Sequence, residues 1–276
     1  YVGQRTEAAR KEFAALAASK TASERVKNRA IYNLVKIAAE LRDWKEVIAA
    51  GEKYAVGFDP AAYNADRWHL QALTAEARLN LGDAKAAREA FAALAARKSD
   101  VPKDASWFAQ ARVLLAESQF QLKEYDAAVA TVAEFRKDDP ESKILHRAEE
   151  VLGRVYKNQA KFVEARAQFG KVINDPNAFR TETAAKCQFL IAETHLLQKN
   201  YKNAQIEYYK VEQLYKFPEW QSSALFQVAK CDEAQNQWKE AVKTYEDLLK
   251  KYADTTLAPQ AKTDLQTARR RATGGA

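Results

Sequence analysis

A chain of 276 residues, 47% of them apolar, can bury a sizeable core, which excludes an intrinsically disordered protein. Forty-four Lys and Arg against 37 Asp and Glu leave a net charge of +7, but both signs alternate along most segments. The one compact basic run is Arg269, Arg270 and Arg271, so a solvated polar face is expected rather than a nucleic-acid footprint, which would gather cations on one side. Eight glycines and six prolines amid abundant helix formers point to a mostly helical chain, and no run of eighteen apolar residues could cross a membrane.

In chain order, residues 4–18 read as a helix with Ala9, Phe13 and Leu16 on one face and no facing helix before it. Its partner is expected upstream, in further N-terminal residues or a domain of the same chain. From Ala9 onward a motif recurs, with a small residue three positions after one large residue and four before another. Its small members are Ala9, Val47, Ala87, Ala128, Ala165, Ala204 and Ala241, at intervals of 38, 40, 41, 37, 39 and 37. Spacings of three and four place the flanking residues on one helical face, and the small residue lets two helix backbones approach.

Thirteen and twelve positions upstream lies a second pattern, large then small: Leu34-Val35, Thr74-Ala75, Leu115-Ala116, Leu152-Gly153, Ile191-Ala192 and Val228-Ala229. It marks the facing helix. Short turns such as Leu81-Gly82-Asp83 and Lys199-Asn200-Tyr201 join the two antiparallel, so each unit is a helical hairpin. Between hairpins stand Gly57-Phe58-Asp59-Pro60, Asp139-Pro140-Glu141-Ser142, Asn174-Asp175-Pro176 and Phe217-Pro218, where Asp or Ser can cap and Pro can open the next helix. The expected organisation is a single array over 1–276: a partial repeat at 1–20, repeats near 23–56, 60–97, 104–137, 141–174, 178–215 and 218–252, and a capping helix at 255–272. Leu257, Ala261, Leu265 and Ala268 form the inner side of that last helix, with a polar outer side that ends the stack.

Leu152, Gly153, Tyr156, Ala165, Phe169 and Pro176 resemble a nearly complete tetratricopeptide signature, and partial copies cover almost the whole chain. The resemblance implies an all-α, right-handed α-solenoid of about fourteen helices. The long period, Asp139-Pro140-Glu141-Ser142 and the segment from Tyr252 to Ala261 are similar to bacterial envelope repeat proteins of the Tol-Pal coordinator and outer-membrane assembly lipoprotein types. That similarity implies a periplasmic or envelope setting rather than the cytoplasm.

No catalytic constellation is found. His69, His146 and His195 fall in three different repeats without acidic or cysteine neighbours at ligand spacing, and His195 is expected as an inward-packing imidazole. Cys187 and Cys231 read as small buried hydrophobes, and the isolated glycines match no nucleotide fingerprint. No enzyme, metal or cofactor is expected.

What remains is surface. In the tetratricopeptide fold the first helix of each hairpin lines the concave side, and residues eighteen, fifteen, eleven and eight before each small anchor project from it. The resemblance thus selects Arg29, Tyr32 and Lys36; His69 and Glu76; Gln110, Glu117 and Phe120; Arg147, Glu150, Arg154 and Lys157; Lys186, Phe189 and Glu193; and Phe226 and Lys230. Arg147, Arg154, Lys157 and Lys186 form a candidate basic patch for an acidic segment of a protein partner, with internal salt bridges as the competing reading. The expected function is a protein-interaction scaffold. The alternatives are an RNA-binding helical repeat, disfavoured by the wandering period, and the non-catalytic helical arm of a larger enzyme.

Overall fold

The computed structural model describes residues 2–55, 65–101 and 105–274. Fourteen α-helices lie among the described residues, with no strand. Seven belong to a compact unit at Tyr1–Ser142: α1 (Val2–Ala18), α2 (Glu24–Glu40), α3 (Trp44–Ala55), α4 (Ala65–Asn80), α5 (Ala84–Ala95), α6 (Ser106–Gln121) and α7 (Tyr125–Asp138). Seven belong to a second unit at Lys143–Ala276: α8 (Leu145–Asn158), α9 (Phe162–Asn174), α10 (Glu182–Leu197), α11 (Tyr201–Leu214), α12 (Pro218–Ala234), α13 (Trp238–Lys251) and α14 (Ala258–Ala272). Within each unit successive helices pack antiparallel as hairpins. The expected loop Gly57-Phe58-Asp59-Pro60 and the repeat limits at 56, 60 and 104 lie outside the described residues.

The hairpins are held at the small anchors. Val47, Ala87, Ala128, Ala165, Ala204 and Ala241 are all buried, as are Phe91, Val132, Phe169, Tyr208 and Tyr245 four residues later. Each such large side chain contributes about 1.5–3 kcal/mol by leaving water. Two helix contacts leave no room for a Cβ: at Gly153 on α8 it would stand 2.4 Å from Cε1 of Phe169 on α9, and at Gly51 on α3 it would collide with the Thr74 hydroxyl on α4.

All six described hairpin turns close alike. The residue five before each anchor takes a positive φ: Arg42 58°, Gly82 91°, Lys123 61°, Ala160 58°, Lys199 57° and Asn236 58°. The next backbone N–H then reaches back to the carbonyl five residues earlier, as in Asp43 to Ala38 at 2.8 Å and Lys161 to Tyr156 at 2.9 Å. This is the Schellman closure, which satisfies helix-end carbonyls and turns the chain sharply. Only Gly82 uses the residue that adopts this conformation freely.

The first helices also pack on one another within a unit, α2 on α4 and α4 on α6, then α8 on α10, α10 on α12 and α12 on α14. Successive second helices make no comparable backbone packing among the described residues. Each unit therefore bends with its first helices on the inner side of the curve. Helix α14 occupies a first-helix place in that row, burying Ala258, Ala261, Leu265 and Ala268, while Leu257 is its half-buried N-cap.

Leu16 corrects the reading of the first helix. It is 42% exposed, because among the described residues α1 packs mainly on α2, which half-buries Ala9, Phe13 and Ala17, and reaches α3 through the Arg10–Glu46 ion pair.

Two outcomes follow from this packing. Gly153→Leu forces the Phe169 ring aside and lowers unfolding free energy by about 1–3 kcal/mol in denaturant titration, with partial recovery in the double variant that also carries Phe169→Leu. Ala160→Gly raises it by about 0.5–1 kcal/mol, since the strain of an L-residue at positive φ exceeds the entropy cost of glycine there.

Candidate functional site

The inner face of the first unit carries an aromatic run crossed by cations. Tyr32 on α2 is buried, and its Oη shares a 2.9 Å hydrogen bond with Nδ1 of His69 on α4. Arg29 Cζ lies 5.0 Å and Lys36 Nζ 5.7 Å from the centre of the Tyr32 ring, within cation–π reach. Arg29 is also ion-paired with Asp66, whereas Lys36 meets no carboxylate among the described residues. His69 stacks on Trp107 of α6 with ring centres 5.7 Å apart, and Trp107 stands edge-on to Phe108 at 5.8 Å. Further along, Glu76, Gln110 and Glu117 are half-buried, Gln121 donates to Glu117 at 3.2 Å, and Phe120 leans on Tyr125 at 6.1 Å. Between α4 and α6 opens a cavity of about 280 Å³, lined by His69, Ala72, Leu73, Glu76, Phe91, Ser106, Trp107, Gln110, Ala111 and Leu114.

The same positions in the second unit hold ion pairs. Glu150 takes Arg154 at 2.7 Å and Lys186 at 2.8 Å, and Lys157 reaches Glu193 on the next first helix at 2.5 Å. Three of the four cations read as a basic patch are thus paired with carboxylates of the protein itself, and Arg147 is half-buried beside them in sequence. The correspondence with the first unit is positional: Lys36, Tyr32 and His69 stand where Arg154, Glu150 and Lys186 stand. Lys230 is shared between Glu233 at 2.9 Å and Asp264 at 2.8 Å, with its Nζ 5.5 Å from the centre of Phe226. Phe189 and Phe226 fold back on second-helix rings, Phe189 edge-on to Tyr208 at 5.0 Å and to Trp220 at 5.5 Å, Phe226 edge-on to Tyr245 at 5.8 Å. Tyr32, Phe189 and Phe226 are therefore packing aromatics as much as surface.

Trp107 and Trp220 escaped the choice of positions made from the sequence. Each lies twenty-one residues before its anchor, one turn beyond the first offset considered, so extending that window by a turn would have found them.

Cys187 and Cys231 are fully buried, and burial pushes the Cys231 thiol up to about 12 and the Cys187 thiol higher still, so neither is a thiolate near neutral pH. No group of three or more His, Cys, Asp or Glu able to hold a metal gathers among the described residues. His195 differs from its expected inward role. It is half-buried near the end of α10, where burial and then the Arg166 charge depress its imidazole, and the fully buried side chain is its neighbour Thr194.

The tetratricopeptide repeat family model matches residues 110–142 and 223–255, one hairpin in each unit. No curated protein sequence matches the chain. Among solved structures it is similar to a tetratricopeptide repeat protein from Parabacteroides merdae, at 14% identity over 96% of this chain and 92% of that one, with a TM-score of 0.67. It is also similar to the apo form of RapI, at 10% identity over 90% and 100% with a TM-score of 0.63, and to pilF of Pseudomonas aeruginosa, at 16% over 86% and 97% with a TM-score of 0.58. At these identities the likeness is one of fold. The chain carries tetratricopeptide repeats in an all-helical array, an architecture whose general use is to hold other proteins.

The histidines make stability depend on pH. Burial and then the Lys36 charge hold His69 below its usual 6.5, burial is likewise the main cause of depression at His146 and His195, and Asp66 opposes the shift at His69. The unfolded chain then binds more protons than the folded one as pH falls through 6.5, so stability is lost on acidification. Asp232, raised by burial, acts in the opposite sense at lower pH. The melting temperature is expected to fall between pH 7.5 and 5.5, with a shallower fall in His69→Gln.

Proposed function

We propose that this chain is a protein-interaction scaffold of a bacterial envelope assembly, receiving a partner segment along the inner, first-helix face of its repeats. The observation that carries the reading is the row of first helices, packed side by side in each unit and bearing cations, carboxylates and rings at repeated positions. The envelope setting is supported by the long period and by the loops near Asp139 and Tyr252 that resemble envelope repeat proteins.

An acidic segment suits the net charge of +7, and Lys36 is the cation best placed to meet it first. In the second unit such a segment competes with Glu150 and Glu193 for Arg154, Lys157 and Lys186. Binding there exchanges internal ion pairs for intermolecular ones, which lowers its net gain and makes it sensitive to salt.

The test compares wild type, Lys36→Glu and the double variant Arg154→Gln with Lys157→Gln for melting temperature and for recovery of cross-linked partners at low and moderate salt. The expected outcome is selective loss of partners, greatest at moderate salt, in variants that melt within a few degrees of wild type. Full retention of every partner by all variants sinks the reading.

A further inference from the structure

The cavity between α4 and α6 has the shape of a missing aromatic side chain. In the repeat built from α10 and α11, three rings form one cluster: Phe189, fifteen residues before the anchor; Tyr208, four after it; and Trp220, at the start of the next first helix. The repeat built from α4 and α5 keeps two of these three. Phe91 stands where Tyr208 does and Trp107 where Trp220 does, but the position of Phe189 is taken by Ala72. The repeat of α12 and α13 fills the same place with Phe226, edge-on to Tyr245. Substituting alanine for a ring between two retained rings leaves a hole, and all three residues line the 280 Å³ cavity.

Burial orders its parts. Ala72, Phe91 and Ala111 are buried and form the floor; His69, Leu73, Glu76, Trp107, Gln110 and Leu114 are half-buried walls; and Ser106 is exposed at the rim. An apolar cavity of about 150 Å³ already accepts benzene, so this volume suits one aromatic side chain. Floor and wall rings offer the edge-to-face geometry that the protein itself uses at Phe189. On the neighbouring first helix Lys36 meets no carboxylate among the described residues, and it is joined to the cavity wall through Tyr32, over whose ring it lies and which bonds His69.

Resting on the scaffold reading, we propose that this slot is the anchor point of the partner. An aromatic side chain of a partner protein segment inserts where Ala72 leaves room, and an acidic residue beside it reaches Lys36. The occupant completes in trans the three-ring cluster that Phe189 completes in cis. Buried aromatic anchors surrounded by charged contacts carry most of the energy in such interfaces.

The experiment titrates the full chain, by amide and indole NMR shifts, with an end-blocked peptide carrying tryptophan between two aspartates, with its tryptophan-to-alanine counterpart, and with free indole. The tryptophan peptide is expected to shift Ala72, Leu73, Leu114 and the Trp107 indole and to bind at least about tenfold more tightly than the alanine peptide. Ala72→Phe should melt at or above the wild-type temperature, because it restores the cluster, and should weaken the tryptophan peptide at least about tenfold. Ala72→Leu is the second blocking variant should the phenylalanine fit badly. Equal binding of the two peptides, or undiminished binding to a folded blocking variant, overturns the slot. Free indole binding as tightly as the peptide overturns the protein partner in favour of a small-molecule pocket. Partners still lost in Lys36→Glu but retained in Ala72→Phe would remove the slot and leave the scaffold standing.

Discussion

Everything in this protein depends on two helices meeting at a small residue. The anchor alanines on the second helices are buried without remainder, and opposite them the first helices present Ala75, Ala116, Gly153, Ala192 and Ala229. In four of the six described hairpins a large buried ring, Phe91, Phe169, Tyr208 or Tyr245, stands four residues beyond the anchor and closes the hairpin core; Val132 and Gly51 take that place in the other two. At Gly153 even a Cβ is given up to Phe169, as it is at Gly51 to Thr74. Overpacking and cavity costs act in opposite directions at such a contact, so size there is fixed within about a methyl group.

Because those contacts hold each hairpin, the inner face can vary from repeat to repeat, although Tyr32, Phe189 and Phe226 also pack there. One set of positions carries Lys36, Tyr32 and His69 as a cation–ring–imidazole contact and, in the second unit, Arg154, Glu150 and Lys186 as an ion triad. The first solution leaves Lys36 without a carboxylate among the described residues; the second neutralises its cations internally. Each unit thus fills the same repeat positions with a different chemistry. With side chains only 9% and 15% exposed, the Glu150–Arg154 pair is largely buried, so losing one partner there costs more than at an exposed pair.

Buried polar groups follow the same positional logic. Tyr245 donates to Glu233 at 3.0 Å, and the residue twelve before Tyr208 is Leu196, so the Tyr208 hydroxyl lies buried without an acceptor. Asp232 is buried between Gln205 at 2.5 Å and Thr244 at 3.4 Å, and Gln188 donates to Glu207 at 2.5 Å across the α10–α11 hairpin. These bonds fix the hairpins against one another, and burial holds the two thiols protonated.

The sequence by itself determined the repeat, the hairpin and the packed face, because these rest on spacing: a small residue between large ones at three and four positions has one way to sit on a helix. It could not show the positive-φ turns, since five of the six turn residues are not glycine and the conformation is imposed by the closing 6→1 hydrogen bond. Nor could it decide which cations are available. Lys157 meets Glu193 thirty-six residues away and Tyr32 meets His69 thirty-seven away, distances set by how neighbouring first helices align. The slot at Ala72 belongs to the same class. One alanine in a helix is unremarkable as sequence, and it becomes a cavity only because Phe91 and Trp107, brought from two other helices, remain on either side of the place a ring would fill.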